Sequence, residues 1–207
     1  MTSLSRRRFL AGSAAGLAVV ATGCTGDDGS GAAALTNDLD IAVVAAGLEK
    51  LAVDTYTAAG RMATDGKLGA AIPPAVATLV ATATGHHHQA LISWNKLLTT
   101  AGRAEVTAPK EPLRTAIDAA IARLTDILGV AALALRLEDY ASQTYLAAIP
   151  TLTSADAIRL AVEISVVSHQ RQAVLRYVLG LNPVGHGTAT EPMDFAPAAP
   201  TLSLLTG

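Results

Sequence analysis

Glu49 and Tyr56 stand seven residues apart, and Glu138 and Tyr145 repeat the spacing. The surrounding stretches, Leu48–Ala59 and Leu137–Ala148, are identical at seven of twelve positions at an offset of 89. Seven residues is nearly two helical turns, so each Glu shares a helix face with its Tyr. Small apolar residues fill the rest of that face: Ala45, Ala52 and Ala59 in one copy, Ala134, Ala141 and Ala148 in the other. A carboxylate on such a face is costly to bury unless something pairs with it. Histidines are the available partners. His86, His87 and His88 precede Gln89, and His169 precedes Gln172, so His86 aligns with His169 and Gln89 with Gln172 at an offset of 83. Glu49, His86, His87, Glu138 and His169 are therefore the candidate metal-ligating residues. Tyr56, Gln89, Tyr145 and Gln172 are candidate outer partners. Consecutive residues point about 100° apart on a helix, so at most two of the three adjacent histidines face inward.

Four helices must position these groups. The first is expected over 38–60, capped by Asn37 or Asp38 and ended by Gly60. Pro73-Pro74 opens a second helix over 74–101, closed by Gly102. A periodic stretch from Pro112 to Ile149 is long for one helix. The repeat identifies 127–149 as the counterpart of the first helix, with Gly129 a bend and 112–126 an extra helical piece. Ser154 caps a fourth helix over 155–180, which ends at Gly180. The fold class is all-α: two repeated helix pairs forming a four-helix bundle. The linker 103–126 is long enough to cross the bundle, so helices two and three are expected to run parallel. Each Glu lies 11 residues before its helix end, at a depth close to that of the His on the facing helix, so the two levels agree within roughly 6 Å. Trp94 reads as a core anchor.

Composition narrows the classes. Half of the residues are apolar but only 3% are aromatic, which suits closely packed Ala, Leu, Val and Ile on helices. The formal charge is −2. Without the leader, Arg6, Arg7 and Arg8 are lost, leaving 12 basic against 17 acidic residues, a net −5. No basic run survives, which argues against a nucleic-acid partner.

The first 23 residues read as an export signal. Arg6-Arg7 with Phe9-Leu10 resembles a twin-arginine signal. An apolar stretch of roughly 14 residues follows, too short to span a bilayer. Ala21-Thr22-Gly23-Cys24 resembles a bacterial lipobox, which would make Cys24, the one cysteine of the chain, the lipid-carrying N-terminus. The expected organisation is signal peptide 1–23, tether 24–37, helical bundle 38–182 and irregular tail 183–207. The expected location is outside the cytoplasm, anchored to the membrane through Cys24 after export by the twin-arginine route.

With these residues in place, the chain over 38–180 resembles the ferritin-like four-helix bundles, in particular small exported bacterial members. The resemblance rests on Leu48-Glu49 with Tyr56, Leu137-Glu138 with Tyr145, and the histidines of helices two and four. It implies a metal centre with one Glu on helices one and three and Glu-x-x-His on helices two and four. Glu49 and Glu138 fit the first half. The second half departs: Ala83, Thr84 and Gly85 stand three residues before the three histidines, and Val166 before His169. A site with two carboxylates and several imidazoles would suit Zn, Cu, Ni or Mn as much as Fe. Two functions stay open. One is a lipid-anchored envelope protein binding a transition metal at a degenerate di-metal-type site. The other is a metal-free structural or partner-binding lipoprotein. No nucleophile triad, phosphate loop or Zn-type cysteine cluster points to another enzyme class. Exchanging both Glu for Gln is expected to lower metal content and stability together in the first case, and to leave stability unchanged or raised in the second.

Overall fold

A computed structural model of the chain describes residues 28–69 and 71–181, with side chains from Asn37 onward. The leader, Cys24 and the tail 183–207 with His186 lie outside the described residues. The chain divides into two compact units, Met1–Ala33 and Ala34–Gly207, and the helical core belongs to the second. Five helices follow in order: α1 Asp28–Thr64, α2 Pro74–Thr100, α3 Glu111–Ile121, α4 Ile127–Ala148 and α5 Ala155–Val178, with a short 3-10 turn at Ile149–Thr151. Among the described residues there is no strand, and no helix is long and apolar enough to cross a membrane. α1, α2, α4 and α5 are the four helices expected, and α3 is the extra piece.

The helix ends follow local chemistry. α1 begins ten residues earlier than expected, inside the stretch read as a tether. Asp38 is consequently not a cap of its own helix. Its buried carboxylate accepts the backbone N–H groups of Thr153 and Ser154, at 2.9 and 2.6 Å, and so fixes the entry to α5. Ser154 caps α5 as expected, accepting from the Ala157 N–H. Gly60 does not end α1, because nothing there turns the chain. The end comes at Gly66, where a positive φ lets the Lys67 N–H reach back to the Met62 carbonyl at 2.9 Å. Nor is Gly129 a bend. The break precedes it, at 122–126, where Asp126 caps α4 by accepting the Gly129 N–H at 2.7 Å.

Side-chain pairing fixes the directions. His87 and Trp94 of α2 meet Glu138 and Tyr145 of α4 in the same order, so α2 and α4 run parallel. Tyr56 and Glu49 of α1 meet Glu138 and Tyr145 in reverse order, so α1 and α4 are antiparallel. Residues 101–126 thus cross from one end of the bundle to the other, as the linker length implied. The crossing passes α1 where Gly47 has no side chain: a Cβ there would stand 4.0 Å from Val106 and Pro109. α3 then packs Ile117 and Ala120 into the core formed by Leu51, Leu133 and Leu137. A second apolar layer, with Ala42, Ala46, Trp94, Leu98 and Ala161, fills the other end. Between the two layers lies a polar centre.

Candidate functional site

The centre is built from one residue per turn on each inward face. Glu49, His87, Glu138 and Arg171 come from α1, α2, α4 and α5, and each is less than a tenth exposed. His87 bridges the carboxylates: its Nδ1 is 2.7 Å from Glu49 Oε2 and its Nε2 is 3.1 Å from Glu138 Oε1. Arg171 Nε donates to the same Glu138 Oε1 at 2.6 Å. The tyrosines cross between repeats. Tyr56 donates to Glu138 Oε1 at 2.9 Å, and Tyr145 donates to Glu49 Oε1 at 2.6 Å. Trp94 closes the network by donating its indole N–H to Tyr145 Oη at 3.0 Å, and the Tyr56 ring stacks on His87 at 5.5 Å. Gln172 ties α5 to α4 from outside through the Glu138 carbonyl and Ser142 Oγ.

Burial and pairing oppose each other in the titration of these groups, and pairing wins. Burial would lower the His87 pKa, but hydrogen bonds and the charges of Glu138 and Glu49 raise it to about 9. Burial would raise that of Glu138, but His87 and Arg171 hold it down to about 2. Burial first, then the neighbouring carboxylate, pushes Tyr145 and Tyr56 well above the ordinary range. At neutral pH the Glu138 carboxylate therefore faces an imidazolium and a guanidinium, and the tyrosines stay neutral donors.

The structure brings together Glu49, His87, Glu138, Tyr56 and Tyr145. It places His86, His88, His169 and Gln89 on exposed faces. His169 turns back to the Ser165 carbonyl at 2.7 Å. The alignment at an offset of 83 matched surface residues. Burial matches α2 with α5 at an offset of 81 instead: Ala83 with Ile164, His87 with Ser168, Ala90 with Arg171, Trp94 with Leu175, all buried. Arg171 is not among the residues the sequence singles out, since neither the repeat nor the histidine alignment includes it. It nonetheless continues the apolar stripe Ala157, Ala161, Ile164, Ser168, Leu175 at helical spacing.

The ferritin-like domain is the family whose model matches, over residues 37–181. The chain belongs to the ferritin-like domain family. No curated protein and no solved structure matches it. In this ferritin-like domain, the histidine of α2 that faces the centre, His87, has Thr84 three residues before it, and α5 presents Ser168 and Arg171 to the interior, so neither Glu-x-x-His of the family's pattern is present. Those residues do not fit a di-metal centre. Both carboxylates expected on α2 and α5 are missing. Both nitrogens of His87 are engaged by carboxylates, which leaves no lone pair for a metal at its charged state. From α5 a guanidinium, and no imidazole, reaches the centre. Glu138 Oε2 is the one buried carboxylate oxygen of the centre without a hydrogen-bond partner among the described residues, and one oxygen is not a ligand set. Nor does any group of three or more His, Cys, Asp or Glu among the described residues have the disposition to hold a metal.

Proposed function

We propose that this ferritin-like domain is an exported, lipid-anchored protein of the cell envelope that works as a binding or structural module, with its core closed by its own cations instead of a resident metal. The contact that carries the reading is Arg171 Nε on Glu138 Oε1. Together with His87 across both carboxylates, it supplies the positive charge that two buried Glu require, so the core is neutral without a metal. Export and anchoring rest on Arg6-Arg7, Phe9-Leu10 and Ala21-Thr22-Gly23-Cys24.

Metal analysis of the natively exported protein tests the core reading. The expected result is substoichiometric metal and a melting temperature unmoved by chelator. About one ion per chain, whose removal lowers the melting temperature, would restore the degenerate metal site as the better reading. Cys24→Ala tests the anchor: it should release the protein from membranes, and persistent membrane attachment would refute lipidation at this residue.

A further inference from the structure

A cavity of about 800 Å³ opens at the end of the bundle away from Trp94. Its walls are the last turns of α1, the first half of α2 and the start of α4. They are mostly aliphatic, with Ala59, Leu68, Ile72, Val76, Val80 and Val130 prominent, and carry the threonines Thr57, Thr64 and Thr84. The space is a cleft open to solvent and not an enclosed void. It falls in the size range of small-molecule sites, which are likewise mostly apolar with a few placed polar groups. Ile72, Val76 and Val80 are only half-buried there, so an apolar occupant would remove surface from water worth about 25 cal/mol per Å².

The rim says what kind of occupant fits. Two charged residues border the cavity, Arg61 and Asp65. Asp65 is paired with Lys67 at 3.3 Å. Arg61 has no ion-pair partner among the described residues, and its side chain is exposed. The mouth therefore offers one unneutralised guanidinium above an aliphatic chamber. A guanidinium suits a carboxylate through two parallel hydrogen bonds. A helix is 10–12 Å across with its side chains and rises about 5.4 Å per turn, so this volume takes only one or two turns of one, whereas a single alkyl chain fits whole.

We propose that this cavity binds a single-chain anionic amphiphile of the fatty-acid type, alkyl chain inside and carboxylate on Arg61. Of the polar centre only Tyr56 lines the cavity, and the proposed contacts use neither its hydroxyl nor any group that would hold a metal, so the proposal stands or falls separately from the metal-free reading of the core.

Dodecanoate, titrated into the full mature protein below its micelle concentration and followed by calorimetry, is the test. One site per chain with micromolar affinity is expected. Val80→Trp fills a half-exposed wall and should weaken binding at least tenfold while leaving helical circular dichroism intact. Arg61→Gln should weaken dodecanoate several-fold and leave dodecanol unchanged, since only the first carries a carboxylate. Absence of saturable binding overturns the proposal, whether another segment or partner fills the chamber or nothing does. Binding indifferent to both substitutions also overturns it, because the ligand would then be adhering to exposed apolar residues elsewhere, such as Val166, Val174 and Tyr177 on α5.

Discussion

Glu138 Oε1 accepts from a phenol, an imidazolium and a guanidinium, which makes it the most heavily committed atom of the centre. Glu138→Gln would strand Arg171 and leave His87 with one carboxylate. Breaking a buried pair from one side costs about 3–5 kcal/mol, so a loss of that order is expected in denaturant unfolding of metal-free protein. The sequence had suggested that a metal-free core would tolerate loss of its carboxylates. It would not, because the cations that balance them were not visible in the sequence. Stability after Glu→Gln exchange therefore no longer separates the two functions, and metal content does. Tyr145→Phe should cost about 1–3 kcal/mol, because the buried Trp94 N–H loses its acceptor. Tyr56→Phe should cost less, since Glu138 keeps His87 and Arg171.

The same residues set a pH profile. His87 is raised from 6.5 to about 9, so its contribution is full below 6.5 and is lost as pH rises through about 9. Glu138 is lowered from 4.5 to about 2, so its contribution is full above 4.5 and is lost as pH falls through about 2. Unfolding midpoints should be highest between pH 4.5 and 6.5 and decline towards pH 9. His87→Gln should flatten the alkaline decline, and an unchanged slope in that variant would refute the assignment to His87.

At the scale of elements, the periodicity of Glu49, Tyr56, Glu138 and Tyr145 was legible because two helix faces repeat it with the same alanines. Helix ends were legible where a residue acts on its own backbone, as at Ser154. They were not where a residue acts across the fold. Asp38 looked like a cap of α1, and no sequence rule assigns it to Thr153 and Ser154, 115 and 116 residues away. The register of α2 against α5 failed for a related reason. Letter identity followed His86, His169, Gln89 and Gln172, none of them buried, whereas burial makes His87 the counterpart of Ser168 and Ala90 that of Arg171. Asp38→Ala should cost about 1–3 kcal/mol by removing the charged acceptor of the part-buried Thr153 and Ser154 N–H groups at the start of α5. Amide exchange should show that loss first at Thr153 and Ser154. Faster exchange confined to α1 would mean that Asp38 serves its own helix after all.

For the whole molecule, the decisive feature is that neither helix pair satisfies all of its own polar groups. Tyr56 of the first pair serves Glu138 of the second, and Tyr145 of the second serves Glu49 of the first and accepts from Trp94. The parallel arrangement of α2 and α4 makes this exchange geometrically available, and the crossover through α3 makes it reachable by the chain. Separated, the first pair would keep the contact between His87 and Glu49 but leave the Tyr56 hydroxyl, His87 Nε2 and the Trp94 indole N–H without partners, on a face built for another helix pair. Residues 24–102 and 103–207, produced as two chains, should each be largely unfolded and should reassociate on mixing. Trp94, the one tryptophan and wholly buried, reports the event. Its emission should be that of exposed indole in the isolated first half and shift to the blue when the second half is added. Blue-shifted emission with a cooperative melt in the first half alone would show that the pair folds by itself, and that the crossed hydrogen bonds join two finished halves rather than complete one core.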